Sequence, residues 1–442
     1  MRKMKRRVVT TRGGFLVLVT LGLAGLATTT TLSQRGGVFR ESRDHPAIQY
    51  TDGERNDVIT RLVREVNQGA TTLEFDPVTG YLPSVLDALD IPIESQVTVF
   101  SETSFQAEWI TPENPRALYF NDTAAVGWVR GADVLEVAVL DPTQGVGFYS
   151  IDQVAADRPT IKRNEVCLAC HLSWDTLGVP GLMTLNTLPL PDDPNAYAVG
   201  WVTDHRSPLE DRWGSWYVTG APEGLRHLGN QTEPFDYIPG GGDPAPVLDT
   251  LSSAFDPSDY LTPYSDLVAL LVLEHRNHMT NLIIRLGWQT RVAKHPAPVR
   301  NGTSDTADAA STIDAAAAEL VDYLLFIDEV SLPEGIASTS GFADVYSSQG
   351  PFDTEGRSLH ELDLQNRLLR YPCSPLIYTA AFDALPTHAK VAVYQRMWNI
   401  LSGAATEDRY QRLTREERTA IVEILQDTKP GLPDYFRVES VE

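Results

Sequence analysis

The 442-residue chain sets 36 lysines and arginines against 59 aspartates and glutamates, a formal net charge of −23. A surface of that sign repels nucleic acid and anionic lipid headgroups, and it steers basic partners inward. The length suggests two or three domains, far more chain than the roughly 100 residues a small electron carrier needs.

The N-terminus is strongly basic (Arg2, Lys3, Lys5, Arg6, Arg7, Arg12), and an apolar run from Phe15 to Ala27 follows. This is the pattern of a secretory n-region and h-region. Removing residues 1–34 leaves 408 residues at a formal charge of −29, because six basic and no acidic side chains go with them. Cleavage is the favoured reading. Thr28 to Leu32 could lengthen the apolar stretch toward the ~20 residues of a spanning helix, so an uncleaved N-terminal anchor is the alternative. Either way the chain is expected to be exported, to the periplasm or cell envelope.

A short helix is predicted over Arg55 to Asn67. Strands are predicted over Val97 to Phe105, Ala117 to Phe120, Ala124 to Val129, Val134 to Leu140 and Val146 to Ile151, broken by turn residues at the spacing of an antiparallel sheet. The segment Asp157 to Val166 is too charged for a buried central strand. Tyr197 to Val202 and Ser215 to Thr219 add two more candidate strands in a loop-rich stretch. Beyond residue 262 the pattern becomes helical. Thr262 as N-cap, Pro263 in the first turn and Gly287 as stop predict one helix over Pro263 to Leu286. Helices near Ala309 to Phe326, His388 to Leu401 and Arg415 to Asp427 follow, the last opened by a Thr414 to Glu417 capping box. His295 to Asp308 and Pro333 to Gly356 read as surface loops. The expected class is α+β: a leader at 1–34, a strand-rich region at 35–155, a loop-rich haem-attachment region at 156–250 and a helical region at 251–442.

The most specific motif is Cys167-Leu168-Ala169-Cys170-His171. Cys-X-X-Cys-His reads as a c-type haem attachment site. Two cysteines three apart on a helical turn face the same way, so both thiols can add to the vinyl groups of one porphyrin. His171 would then be the proximal iron ligand. Zinc would want a second Cys or His pair at finger-like spacing, and none follows. A redox dithiol would want the motif at a helix start in a βαβ unit. No second such motif occurs, so one covalent haem is the ceiling. Cys373 has no partner and reads as a buried free thiol.

Function then turns on the sixth iron position. With about 100° per residue and His275 as zero, Val268, Leu271, Leu282 and Leu286 fall within about 40° of it, so His275 centres an apolar stripe flanked by His278 and Met279. It is either a hydrogen-bonded core residue or an iron ligand. Met183 lies on a loop long enough to fold over the porphyrin edge, with a core methionine as the plainer reading. Asp204-His205-Arg206 could form a peroxidase-like distal pair, His205 moving a proton and Arg206 stabilising charge on oxygen. The plainer reading is a polar loop whose Asp, His and Arg satisfy one another. His227 is a further histidine that nothing raises above background.

At Cys167 to His171 the chain resembles c-type cytochromes. Through Pro115 to Asp122 and Asp204 to Glu210 it resembles a group of large exported bacterial monohaem proteins without an established activity. The resemblance implies a haem protein of the cell envelope and says little about reaction. Small cytochromes c carry the motif near the mature N-terminus, whereas a strand-rich region precedes it here, which argues against their all-helical fold. The expected function is electron transfer through one covalent haem c, with a redox partner protein and no nucleic acid; the acidic surface favours a basic partner, or reflects export alone. A haem peroxidase or oxygenase using His205 and Arg206 is the alternative.

Overall fold

The computed structural model describes residues 42–189, 200–235, 237–240, 243–296 and 306–436, so the expected leader at 1–34, the start of the expected strand at Tyr197 and residues 297–305 of the expected loop lie outside the described residues. The alternating runs form an antiparallel meander of β1 (Val97–Val99), β2 (Arg116–Phe120), β3 (Ala124–Trp128), β4 (Val134–Asp141) and β5 (Gly145–Asp152). The strand expected to reach Phe105 ends at Val99, and the chain then leaves the sheet for a short turn at Ala107–Trp109. Two short strands extend the sheet, β6 (Ile161–Arg163) beside β5 and β9 (Trp216–Tyr217) beside β1. The charged approach to the cysteines thus carries an edge strand, where polar side chains reach water. β7 (Thr184–Asn186) and β8 (Trp201–Thr203) make a separate two-stranded ribbon.

Side chains alternate across the meander, so its two faces have separate duties. Ala117, Tyr119, Val126, Val137, Val139 and Ile151 pack in one apolar cluster with α1 (Val58–Gln68) and α2 (Leu82–Ala88). α1 begins at Asp57, whose carboxylate accepts from the Thr60 N–H at 2.8 Å and from the Tyr149 hydroxyl at 2.6 Å. One side chain therefore caps the helix and fastens it to β5.

The cysteine motif lies on a single turn, α3 (Leu168–His171). The C-terminal half is helical, with α4 (Leu267–Lys294), α5 (Thr306–Leu324), α6 (Phe342–Ser347), α7 (Ala380–Asp383), α8 (Thr387–Leu401) and α9 (Arg415–Thr428). The Thr414 to Glu417 capping box is formed in full. The expected loop over Pro333 to Gly356 contains α6. None of the described helices is long and apolar enough to cross a membrane.

α4 differs from expectation at both ends. Pro263 stays outside it, because the Gln96 amide holds the carbonyls of Thr262 and Tyr264 at 2.8 and 2.6 Å in an extended segment. Asp266 caps instead, one oxygen accepting from Val268 and Ala269 N–H at 2.9 and 3.1 Å. Gly287 does not stop the helix, since Trp288 and Thr290 beyond it are buried and reward another turn. α4 and α5 share a core cluster with Phe148, Leu168, Leu182, Cys373 and Phe382, so sheet, motif and helices close on common apolar contacts. Cys373 is buried and free, as read from the sequence.

The second Asp266 oxygen accepts from the Ser338 hydroxyl and the Thr339 and Ser340 N–H groups at 2.7 to 2.9 Å. Replacing Asp266 by Ala removes a cap and orphans buried donors of two segments. Thermal or urea unfolding should show a loss of about 3–5 kcal/mol, well beyond the ~1 kcal/mol of an ordinary cap.

Candidate functional site

Cys167, Cys170 and His171 all line one cavity of about 360 Å³. That volume is within the roughly 300–1,000 Å³ of small-molecule and cofactor sites. Its floor is the second face of the meander. The pairings Leu118↔Gly127↔Glu136 and Phe120↔Ala125↔Ala138↔Phe148 set these residues side by side. Small residues occupy the central strands and bulky ones the flanks, so the floor is hollow in the middle. A Cβ on Gly127 would come within 2.8 to 2.9 Å of the Arg116 guanidinium and the Glu136 carboxylate. The far wall is α4, through Leu273 and Asn277, and the segment around Met183 closes one side.

His171 is held by backbone. Its Nδ1 donates to the Gly181 carbonyl at 2.9 Å, and the Gly181 N–H donates back to the His171 carbonyl at 3.0 Å. A carbonyl only accepts, so Nδ1 carries the proton and Nε2 is left with the lone pair a metal requires. Burial holds the imidazole pKa below its ordinary value, which favours that neutral form. Gly181 is held in turn by α4. The Asn281 side chain accepts from the Leu182 N–H at 2.9 Å and donates to the Leu182 carbonyl at 2.6 Å. A Cβ on Gly181 would stand 2.1 Å from the Asn281 amide oxygen. Only glycine fits there.

The thiols are not tuned as a redox dithiol. Burial and then the Glu136 carboxylate push Cys167 up to about 11, and burial with Asp175 raises Cys170. A reactive dithiol needs the opposite shift. Among the described residues no group of three or more His, Cys, Asp or Glu is placed to hold a metal ion unaided. A zinc site at this pair would lack the further side-chain ligands it needs. Two thiols and one imidazole are the groups this cavity could offer to a bound cofactor.

Two polar side chains inside the cavity were not singled out from sequence. Arg116 and Glu136 form an ion pair on neighbouring rows of the floor, and Glu136 also accepts from Ser104 and Gln106 at 2.7 and 3.0 Å. Their only sequence signal is position, on the same strand face as Leu118, Gly127 and Ala138.

The structure does not bring His205, Arg206 or His275 to this cavity. His275 is two residues from both Leu273 and Asn277, so about 200° of helix separates it from the cavity wall. Both its ring nitrogens are engaged, Nδ1 with His205 Nδ1 at 2.8 Å and Nε2 with the Ser374 hydroxyl at 2.8 Å. His205 stacks on Tyr323 at 3.9 Å between centroids. Arg206 donates to both Asp204 oxygens at 3.1 and 2.6 Å and to His278 Nε2 at 3.1 Å. Burial holds His275 down to about 3 and His278 to about 4, so this cluster is neutral imidazole at neutral pH. Met279 packs in the apolar core, and burial lowers His227 to about 4 beside Trp213. Met183 alone of the methionine and histidine candidates for the sixth position shares the cavity with His171.

No protein family, no curated protein and no solved structure matches this chain.

Two outcomes test this account. Gly181→Ala must displace the Asn281 amide, so it should cost about 2–3 kcal/mol in thermal unfolding through lost buried hydrogen bonds. Near the histidine cluster, burial pushes Glu329 up to about 7 from its ordinary 4.5, although Oε1 accepts from the Leu368 N–H at 2.7 Å. A carboxyl whose folded pKa is raised resists ionising in the fold, so its contribution is full below about pH 4.5 and is lost as pH rises toward 7. Glu329→Gln should match the parent near pH 4.5 and exceed it by about 2–3 kcal/mol at pH 8, read from urea midpoints at the two pH values.

Proposed function

We propose that the chain is an exported monohaem c-type cytochrome that passes electrons to or from a redox partner. The observation that carries this is the convergence of Cys167, Cys170 and His171 on one hollow-floored cavity, with His171 Nδ1 committed to the Gly181 carbonyl. Cys167 and Cys170 would hold a haem by thioether bonds, each S–H adding across a vinyl group, and His171 Nε2 would face the iron. When bound, the haem supplies a reversible one-electron iron couple.

The chain's own part is placement and environment. Gly181 and Asn281 fix the imidazole plane, and a donated Nδ1 proton raises the basicity of Nε2. Met183 lines the same cavity and is the thioether that would serve as a second protein ligand to the iron, which would raise the potential. The apolar side chains of Leu118, Phe120 and Phe148 would lower the local dielectric around the bound group, which disfavours extra charge on it. Arg116, paired with Glu136 inside the cavity, would offer a cation to a carboxylate of the bound group.

The test is an absorption spectrum of the purified full chain with a denaturing extraction. Pigment that stays with the polypeptide in acidified organic solvent, a low-spin oxidised spectrum and a sharp reduced α band are expected. Cys167→Ala with Cys170→Ala should release or abolish the pigment, and Met183→Ala should convert low-spin iron to high-spin without releasing it. Colourless protein, or pigment that leaves with the solvent, would sink the reading.

A further inference from the structure

Exposed large apolar side chains occur on both segments beside the cavity mouth. Phe105 and Val166 line the opening and remain 48% and 66% exposed. Trp174, on the turn just after His171, is 69% exposed. Large apolar side chains gathered at one opening mark a contact surface rather than the scattered exposure of an ordinary exterior.

The charges beside them share one sign. Residues 101–109 and 164–175, the two segments that frame the mouth, contain Glu102, Glu108, Glu165 and Asp175 and no lysine or arginine. All four carboxylate residues are exposed. Asp175 follows Trp174 on the same short turn after His171. Among the described residues, the cations of the adjoining strands have partners of their own. Arg163 meets Glu165 at 3.4 Å, but its guanidinium also donates to the Tyr50 and Thr51 carbonyls at 2.9 Å each. Lys162 pairs with Asp152 at 3.1 Å, and Arg116 is inside the cavity on Glu136.

We propose that this rim is the docking surface for a basic redox protein, with Phe105, Val166 and Trp174 as the apolar contact and Glu102, Glu108, Glu165 and Asp175 as the ring that orients a lysine-rich partner. The inference rests on the electron-transfer reading of the cavity and names the partner's chemistry. A small apolar centre with a charged margin suits a transient complex, since the charges speed encounter and the aromatic contact holds it briefly. Carboxylates at the margin also repel anionic lipid, which favours a protein over a membrane as the occupant.

The test uses the full holoprotein and a small lysine-rich cytochrome as probe, followed by stopped flow in the direction that moves one electron from the reduced chain to the oxidised probe. Equilibrium binding is measured alongside. A rim variant, Glu102→Lys, Glu108→Lys, Glu165→Lys and Asp175→Lys together, is compared with a control of equal charge change on the helical half, Glu334→Lys, Glu407→Lys, Asp408→Lys and Glu416→Lys. At low ionic strength the rim variant should lose at least about tenfold in second-order rate and the control less than about threefold, with the gap closing at high salt. Hexacyanoferrate(III), an anion, should instead react faster with the rim variant. Trp174→Ser should slow the lysine-rich probe at every salt concentration. Equal responses of rim and control would overturn the docking surface and leave the haem reading intact. Rim-dependent binding by a chain that carries no haem would do the reverse.

Discussion

A 28-residue helix buried on nearly every side needs partners for the polar side chains it carries, and α4 organises the molecule through the ones it finds. Glu274 meets Arg212 at 2.9 Å with both side chains almost fully buried, and Thr203 donates to the other oxygen at 2.7 Å. Asn277 donates to Thr184 at 3.2 Å, and Asn281 grips both backbone groups of Leu182. His275 turns the opposite way to His205 and Ser374. Each demand ties the helix to a different segment. Together they bring β7, the Gly181 turn, the loop at 203–212 and the chain near Ser374 to a single axis.

The candidate site follows from two of those ties. Asn281 sets the Gly181 turn, and the Gly181 carbonyl sets the His171 ring, so the motif's orientation is decided by a helix over 100 residues away in sequence. On the other side, the meander devotes one face to α1 and α2 and leaves the other to enclose a hollow against α4. Ala125, Gly127 and Ala138 are the small residues on the cavity side, while Ala124, Val126 and Trp128 of the same strand β3 pack in the opposite direction. A strand whose two faces serve a core and a cavity shows the same period of two that any half-buried strand does. The period reveals that the faces differ and not what each face meets.

The histidine cluster illustrates the same limit from the other direction. His275 sits at the centre of an apolar stripe, as the helical wheel shows, and stripes of that kind point into a core. Two cores flank α4, however, and a one-dimensional pattern does not say which of them holds the cavity. The 200° between His275 and the residues at 273 and 277 settles it in favour of the Ser374 side. The peroxidase-like pair meets a similar fate, because Arg206 is spent on Asp204 and His278 within the cluster.

What the residues alone determine here is local: the α+β division, the antiparallel meander, the capping box at Thr414, the buried thiol of Cys373, and three adjacent chemical groups at Cys167, Cys170 and His171. These depend on period, turn chemistry and spacing, which act over a few residues. The ends of α4, the strand at β6, the Arg116–Glu136 pair and the identity of the methionine that shares a cavity with His171 were decided only by tertiary packing. Each depends on which distant segment supplies a hydrogen-bond partner or a missing side chain, and those free energies come into being only when the segments meet.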